Sequence, residues 1–415
     1  MRTSPAPNTV PSADAKGERA IAFGITELEV RGFRTARDVS VAPGAMCALV
    51  GEANAGKSNL LAAIRAVLDP AVAPLTAGDV AESAGGVSIR ARLAGGGDVS
   101  LEGAPGATTH PGMELAPPVL FLPAEARGGR VLAPASRYDG DRAAERLRRA
   151  IGRPRATPAA QALAVLDAVE SGELAPRGGF VLLIEEPELY LRPQAQRYLY
   201  RVLRELATAG NQVIYSTHSP AFLNVTRLDE LVFVERLPVR GTRALQPDPV
   251  SADDDFRVMT EFDAARSELF LARAVILVEG LTEKLVLPFV FSAHGYDVDR
   301  EAISIVECGG KPNLPLFARI CRSTGVPFVV VHDSDRKSSG RLSSIDRVLN
   351  ALIAETAGPG RLVVLDPDFE AVAGLVGRHR KPERAWREFA ERSAAEMPPQ
   401  LGRIVELVTS SLGGE

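Results

Sequence analysis

Cysteine is scarce in this chain, and its three cysteines lie far apart. Cys47, Cys308 and Cys321 form no CxxC pair, so the sequence predicts no disulfide framework. Sparse, unpaired cysteine favours a reduced compartment. No apolar run approaches the length needed to cross a bilayer, and the N-terminus lacks the apolar core of a signal peptide. We therefore expect a cytoplasmic protein without a membrane partner.

A strong net charge is also missing, because 48 lysines and arginines nearly balance 52 aspartates and glutamates. The net charge of −4 argues against a protein that coats nucleic acid indiscriminately. It does not exclude DNA binding, which depends on local basic surface rather than on the total. With 415 residues, 46% of them hydrophobic, the chain is long enough for two or three domains with real cores.

The pattern of apolar segments predicts an α/β protein with two domains. In the second, apolar strands alternate with helices, which is typical of a mostly parallel sheet. The linker is expected at residues 238–255, which contain three prolines and a DDD run, followed by a helix at about 262–273. The predicted division begins with a disordered tail (residues 1–20) and a first domain (21–245). A connecting segment with that helix (246–272) and a second domain (273–415) follow. Further helices are predicted at 143–151 and 159–170.

Residues 51–58, GEANAGKS, fit the pattern G-x-x-x-x-G-K-[ST], follow a predicted strand and open a predicted helix. Glycines let backbone N–H groups curl around phosphates, and the helix N-terminus adds favourable partial positive charge. Lys57 is expected to reach the β- and γ-phosphates of ATP, and Ser58 to ligate Mg²⁺. The loop residues predicted to bind nucleotide are Gly51, Asn54, Gly56, Lys57 and Ser58.

A second part of the nucleotide site is predicted at two later strand ends. The apolar strand VLLIEE ends in Glu185, placed to hold the water shell of Mg²⁺, and Glu186, placed to orient the attacking water. His218 follows another buried strand and is expected to contact the γ-phosphate. Taken alone, the two acids could be solvated and the histidine structural. Their order after the glycine-rich loop favours the nucleotide site.

Two further strand ends in the second domain deliver acids. AVILVEGLTEK supplies Glu279 and Glu283, and FVVVHDSDR supplies Asp333 and Asp335. Four carboxylates at one sheet edge repel one another unless cations lie among them. Each acid has an ordinary alternative, such as capping a helix or pairing with a base. Because no CxxC or HxxxH motif accompanies them, the donors favour hard Mg²⁺ or Mn²⁺ over zinc.

The order of the motifs resembles the ATP-binding-cassette ATPases of the chromosome-maintenance and repair type. That resemblance implies closure of two heads around two nucleotides, and hence a homodimer or a higher even-numbered homo-oligomer. The LSGG signature of such ATPases is absent, and Thr157 is the nearest hydroxyl in the matching interval. Only about 120 residues separate the loop from the EEPE strand, which is too few for long coiled-coil arms.

The second domain resembles a Toprim domain, whose pattern is a Glu after one strand and Asp-x-Asp after a later one. A cassette ATPase followed by Toprim resembles the OLD family of nucleases, and EGxxEK, residues 279–284, is typical of that family. The resemblance implies an ATP-gated, metal-dependent DNA endonuclease in phage defence or DNA repair. It also implies that Glu279 is both catalytic and metal-binding, that Glu370 is a further ligand, with Asp366 and Asp368 as alternatives, and that Lys381 is the catalytic lysine.

DNA is the expected partner, through backbone contacts without sequence specificity. The candidate contacts are two arginine runs: Arg142, Arg146, Arg148, Arg149, Arg153 and Arg155; and Arg378, Arg380, Arg384 and Arg387. Both runs could instead be solvated helix faces. An alternative function is an ATP-dependent DNA clamp with an inactive Toprim domain. A topoisomerase is disfavoured because Tyr296 is the only tyrosine in the second domain. A transporter subunit is disfavoured because LSGG is missing.

Overall fold

The computed structural model describes residues 23–82, 84–124, 179–189, 191–223, 225–247, 266–337, 339–375 and 381–412. These residues form three β-sheets with helices packed against them. The fold is mixed α/β, as the sequence pattern predicts. Within these ranges, no helix is long and apolar enough to cross a membrane.

The first sheet is antiparallel and covers the nucleotide-binding half of the chain. Its strands are β1 (Ile25–Phe33), β2 (Ala36–Val41), β4 (Val87–Leu93), β5 (Asp98–Ala104) and β6 (Ala107–Thr109), in the order β2-β1-β4-β5-β6. Strands β4 and β5 pair as an antiparallel hairpin in a glycine-rich region of the chain. Alternate residues such as Leu28, Val30 and Ile89 point inward and are buried.

The second sheet carries the glycine-rich loop. Its strands are β3 (Met46–Val50), β7 (Val119–Leu122), β8 (Val181–Glu185), β9 (Gln212–Thr217), β10 (Leu231–Leu237) and β11 (Gly241–Leu245), in the order β11-β10-β3-β9-β8-β7. Only β11 is antiparallel to its neighbour. Helices α1 (Lys57–Leu68) and α2 (Pro193–Thr208) belong to this half of the chain. The carboxyl ends of β3, β8 and β9 therefore meet at one edge.

The third sheet is parallel throughout, which confirms the prediction for the second domain. Its strands are β12 (Ala274–Val278), β13 (Ile303–Glu307), β14 (Phe328–Asp333) and β15 (Leu362–Leu365), in the order β13-β12-β14-β15. Its helices are α3 (Leu281–Ala293), α4 (Leu314–Thr324), α5 (Ser344–Ala357), α6 (Phe369–Ala373), α7 (Lys381–Phe389) and α8 (Pro399–Leu412). The central strands β12 and β14 are almost wholly apolar until the acids at their carboxyl ends.

One apolar core continues from the second sheet into the third. It includes Met46 and Leu203 of the first domain together with Val275 and Phe317 of the second. A 3-10 helix, Arg266–Leu271, joins the two by burying Leu269 and Phe270. Burying an apolar side chain of this kind stabilises the folded chain by roughly 1.5–3 kcal/mol. The shared apolar contact therefore helps to hold the two domains together.

The linker prediction for residues 238–255 is wrong in part. Gly241–Leu245 is the edge strand β11, paired with β10, where Arg243 Nε lies 3.2 Å from Glu235 Oε1 across the hairpin. Flanking prolines hide this short strand in the sequence. The helix expected at 262–273 is a 3-10 helix over its described part. The predicted tail (residues 1–20) and the helices at 143–151 and 159–170 lie outside the described residues.

Candidate functional site

The glycine-rich loop between β3 and α1 leaves no room for side chains at two of its glycines. A Cβ atom on Gly51 would lie 1.9 Å from the backbone oxygen of Val234. Gly56 has φ of +112°, and a Cβ there would lie 2.2 Å from Thr242 Oγ1. Glycine is therefore required at both positions. A glycine-rich backbone at the start of a helix suits an anion, which fits the predicted phosphate site.

Lys57 begins α1 and folds back over the loop. Its Nζ donates to the backbone oxygens of Gly51 and Glu52, at 2.7 Å each. Burial lowers the pKa of Lys57 to about 8, although Glu186, Glu188 and Glu52 act in the opposite direction. A bound phosphate would add negative charge beside this buried ammonium and favour its charged form. Ser58, the next residue, is exposed, and Asn54 lies exposed in the loop with φ of +63°.

Glu185 and Glu186 end β8 at the same edge as the loop. Glu185 Oε2 accepts the backbone N–H of Ala124 at 3.1 Å. Glu186 has φ of +46°, and its N–H donates to the backbone oxygen of Ser216 at 2.9 Å. This backbone turns the Glu186 side chain away from the strand direction and toward His218, with 3.7 Å between Glu186 Oε1 and His218 Nε2. Lys57, Glu186 and His218 therefore share one site.

Glu188 is a member of this site that sequence reasoning missed. Its Oε1 accepts the backbone N–H of His218 at 2.6 Å, while Oε2 is buried without a hydrogen-bond partner. Burial raises the pKa of Glu188, whereas burial and then the Lys57 charge lower the pKa of His218. The third glutamate of EEPE was the available signal, because it lies three residues after Glu185.

In the second domain, Glu279 and Asp333 meet at the carboxyl ends of β12 and β14. Glu279 Oε1 accepts the backbone N–H of Asp333 at 2.8 Å. Asp333 Oδ1 accepts the N–H of Phe369 at 2.8 Å. Burial raises the pKa of Glu279 to about 7. Burial, followed by repulsion from Glu279 and Glu283, raises the pKa of Asp333 to about 8. Burial and mutual repulsion disfavour the charged forms of these acids, and a bound cation would offset both effects.

Glu283 lies in the first turn of α3 and is buried, at 7% exposure. Burial raises its pKa, and Glu370 and Glu307 raise it further. Glu370, in the first turn of α6, is therefore electrostatically coupled to the cluster. Asp335 has φ of +55°, and its backbone N–H donates to the oxygen of Pro367 at 2.9 Å. The structure thus brings the predicted acids Glu279, Glu283, Asp333, Asp335 and Glu370 into one region.

Two other predicted acids have structural partners. Asp366 Oδ1 accepts Ser334 Oγ at 2.5 Å and Arg336 Nε at 3.2 Å. Asp368 is the N-cap of α6 and accepts the N–H of Ala371 at 2.7 Å. Of the three acids that the sequence left open, Glu370 is therefore the one coupled to the buried cluster.

Lys311 is the second site residue that sequence reasoning missed. It lies in a short 3-10 helix after β13, is 6% exposed, and directs its Nζ at Asp335 Oδ2 (2.6 Å) and the backbone oxygen of Asp333 (2.5 Å). The segment GGKPN that follows β13 was a usable signal, because parallel strands end at the same edge. The Lys311 ammonium therefore lies inside the acidic cluster.

Lys381, the predicted catalytic lysine, is the first residue of α7, and its side chain lies outside what the structure describes. The helix packs against α3, with Trp386 edge-on to Phe289 at 6.1 Å between ring centroids. Arg384 and Arg387 pair with Glu388 and Glu383 on the same helix, at 2.7 and 2.8 Å. The remaining predicted DNA contacts, at 142–155, 378 and 380, and also Thr157, fall on undescribed residues.

The donor chemistry of the acidic cluster fits Mg²⁺ or Mn²⁺, because its donors are carboxylate oxygens. Over the described ranges, however, no three Asp, Glu, His or Cys side chains lie close enough to hold one ion. Glu279 and Asp333 each give an oxygen to a backbone N–H, and Asp335 is bonded to Lys311. Each of these bonds uses one carboxylate oxygen, and binding of an ion would require the side chains to move closer together.

A cavity of about 710 Å³ lies where the glycine-rich loop faces the second domain. Its lining includes Glu52 of the loop and Arg273, which precedes β12. The Arg273 Nε lies 3.6 Å from Glu52 Oε1. Since β12 ends next to Glu279, this ion pair connects the nucleotide loop to the strand that carries the acidic cluster.

Two family profiles match the chain at these sites. The profile described as "Overcoming lysogenization defect protein-like, TOPRIM domain" matches residues 270–335. The profile described as "AAA ATPase domain" matches residues 177–223. The first match contains Glu279, Lys311 and Asp333, and the second contains Glu186 and His218.

The chain is also similar to proteins named as OLD nucleases. It is 35% identical over 250 residues to the OLD nuclease of Thermus scotoductus, covering 55% of this chain and 47% of that protein. It is 29% identical over 196 residues to the Old nuclease of Escherichia phage P2, covering 44% of this chain and 33% of that protein. The chain thus spans about half the length of the first relative and a third of the second. A solved structure of the C-terminal region of the Burkholderia pseudomallei OLD protein is 17% identical, with a TM-score of 0.29, and covers 34% of this chain and 99% of that one.

Proposed function

We propose that the chain is an OLD-family ATPase–Toprim protein and that it acts as an ATP-dependent, divalent-metal-dependent DNA endonuclease. The observation that carries this proposal is the meeting of Glu279 and Asp333 at adjacent strand ends, 2.8 Å from carboxylate to N–H. Burial raises the pKa values of both acids, so the cluster favours the approach of cations. The acids of the cluster offer carboxylate oxygens, which suit hard divalent ions.

In this proposal the carboxylates of Glu279, Glu283, Asp333 and Asp335, with Glu370, hold the divalent ions. Bound ions would supply an activated water and stabilise charge on the phosphodiester oxygens. Asp333 is kept in place by the Phe369 N–H, and Glu279 by the Asp333 N–H. Glu279 is the candidate to accept the proton of the attacking water, because its carboxylate lies at the shared strand edge beside Asp333. Lys381 is the candidate to stabilise developing negative charge.

The first domain would bind ATP with Mg²⁺ and control access to the cutting site. Gly51, Asn54, Gly56 and Lys57 would cradle the phosphates, while Ser58 and Glu185 would hold the ion. Glu186 would orient the attacking water, with His218 near the γ-phosphate. A movement of the loop on nucleotide binding would be passed through the Glu52–Arg273 ion pair to β12 and Glu279.

DNA is the proposed substrate, contacted through its backbone, and a homodimer or other even-numbered homo-oligomer is the proposed assembly. Arg384 and Arg387 remain candidate DNA contacts, because exposed pairs on one helix are worth only about 0–1 kcal/mol and can be exchanged for phosphate. Phage defence or DNA repair is the proposed cellular role. Plating efficiency of phage and survival after DNA damage, in cells with and without the chain, separate these two roles.

The proposal is tested by incubating the full chain with supercoiled plasmid in Mg²⁺, Mn²⁺ or Ca²⁺, each with and without ATP. Nicked or linear product with Mg²⁺ or Mn²⁺, increased by ATP, is the expected result. Ca²⁺ is expected to support binding without cutting. If the wild-type chain binds DNA with ATP but never cuts it with any ion, the protein is an ATP-dependent clamp and the nuclease proposal fails.

A further inference from the structure

Lys311 is a buried cation placed among carboxylates. Its residue exposure is 6%, which is unusual for lysine unless the charge is paired. The Nζ contacts Asp335 Oδ2 at 2.6 Å and the backbone oxygen of Asp333 at 2.5 Å. Its charge also acts on Glu279. Lys311 therefore touches or influences three of the acids that the proposed nuclease would use.

The backbone around Lys311 is held by hydrogen bonds that place this lysine among the carboxylates. The N–H of Gly310 donates to the backbone oxygen of Glu279 at 2.9 Å, which fastens the loop after β13 to the end of β12. Asn313 Nδ2 donates to the oxygen of Cys308 at 2.9 Å and closes the loop from its other side. Pro312 occupies an early position of the 3-10 helix and restricts its backbone. The position of Lys311 is thus fixed by its own loop.

We propose that Lys311 is an internal counter-cation of the Toprim site, which holds Asp335 in the metal-free protein and yields this carboxylate when a divalent ion binds. The inference rests on the proposed function, because it concerns the same carboxylates. It explains why the described acids lie together without three of them converging on one point. The ammonium supplies part of the positive charge that the buried acids need.

The ion and the ammonium compete, because they carry charges of the same sign and share Asp335. In a partly buried site such repulsion is strong. Removing the Lys311 side chain should hardly move the loop that carries Asp335, because other hydrogen bonds hold that loop in place. The Asp335 N–H donates to the oxygen of Pro367 at 2.9 Å, and Asn350 Nδ2 donates to the oxygen of Ser334 at 3.0 Å. Loss of the charge should therefore outweigh loss of positioning, and the neutral variant should bind the ion more tightly.

The test is a calorimetric titration of the full chain with Mn²⁺ at constant pH, comparing wild type with Lys311→Met. We expect the variant to bind Mn²⁺ about ten-fold more tightly or better. In EDTA its unfolding temperature should fall below that of wild type, and Mn²⁺ should restore it. Lys311→Arg keeps the charge and should stay close to wild type. Lys337→Met is the matched control, because it removes an exposed charge two residues from Asp335 and should change affinity less than about two-fold.

The outcomes separate this inference from the proposed function. If wild type binds no Mn²⁺, the proposed metal site and this inference both fail. If wild type binds Mn²⁺ and cuts DNA but Lys311→Met binds no more tightly, only the role of Lys311 is overturned. If Lys311→Met is unfolded in EDTA, Lys311→Gln is examined beside it. Folding of both only with Mn²⁺ supports the inference, whereas failure of both to fold even with saturating Mn²⁺ overturns it.

Discussion

The Glu279 carboxylate accepts the backbone N–H of Asp333 at 2.8 Å, and this bond joins the ends of two neighbouring parallel strands. The two residues are 54 positions apart in sequence. The bond places two buried acids beside each other and raises the need for a cation between or near them. The pH dependence of the metal-free protein follows from this arrangement.

The stability of the metal-free chain should fall as pH rises from about 5 to 8. An unfolded Asp has a pKa near 4, whereas burial and the neighbouring glutamates raise the pKa of Asp333 to about 8. The folded chain thus holds a proton that the unfolded chain has lost, so the stability present below pH 4 is lost as pH rises through 8. Thermal unfolding in EDTA should show a decrease of roughly 3 °C or more.

Asp333→Asn removes that titration and should flatten the curve over the same pH range. Asp366→Asn serves as the control, because Asp366 lies outside the buried cluster and is bonded to Ser334 and Arg336. Its curve should keep the wild-type slope. An identical slope in wild type and Asp333→Asn would show that Asp333 does not carry the proton.

Glu186→Gln should abolish most ATP hydrolysis and leave ATP binding in place. Loss of a group that positions or deprotonates water costs about 10²-fold or more, while Lys57 and the glycine-rich loop remain intact. Phosphate release and fluorescent-nucleotide binding measure the two effects separately. Glu188→Gln is the neighbouring comparison, since an amide oxygen can still accept the His218 N–H. A larger loss of ATP hydrolysis in Glu188→Gln than in Glu186→Gln would show that Glu188, and not Glu186, orients the attacking water.

Glu370→Gln should weaken Mn²⁺ binding by roughly ten-fold or more, because its charge acts on Glu283 within the buried cluster. Asp368→Asn should leave Mn²⁺ affinity near the wild-type value, since asparagine keeps the cap of α6. Calorimetric titration of both variants decides between these two acids. Weaker binding in Asp368→Asn alone would transfer the ligand role to Asp368.

Arg273→Met should reduce the stimulation of DNA cleavage by ATP without changing ATP hydrolysis. The variant removes the partner of Glu52 at the contact between the domains, and single coupling contacts are worth about 0.5–2 kcal/mol, or roughly 2- to 30-fold. The ratio of cleavage rates with and without ATP is the measurement. Arg300→Met removes an exposed arginine elsewhere in the second domain and should leave the ratio unchanged. An unaltered ratio in Arg273→Met would exclude this route.

Much of the fold and several site residues follow from local sequence. The P-loop pattern and the acids after β8, β12 and β14 were predictable because each lies directly at the end of an apolar strand. Glu188 was harder, because its role depends on a bond to the backbone of His218, 30 residues away. β11 was missed because prolines surround a five-residue edge strand.

Lys311 was missed for a different reason. The segment GGKPN places Lys311 at the shared strand edge, but it does not show whether this lysine is buried or exposed. Its place among the acids depends on the strand order β13-β12-β14, which brings the loop after β13 beside Asp335. Sequence predicted the strands and their parallel class, but the side-chain partners at the shared edge required the three-dimensional structure.

The role of the acidic cluster in cutting is tested by metal-dependent nicking of plasmid by wild type, Asp333→Ala and Glu283→Ala, with DNA binding measured in parallel. We expect nicking by wild type in Mn²⁺ or Mg²⁺, and a loss of about 10²-fold or more in both variants with DNA binding retained. Nicking by both variants at the wild-type rate would contradict the assignment of these carboxylates as the cutting site.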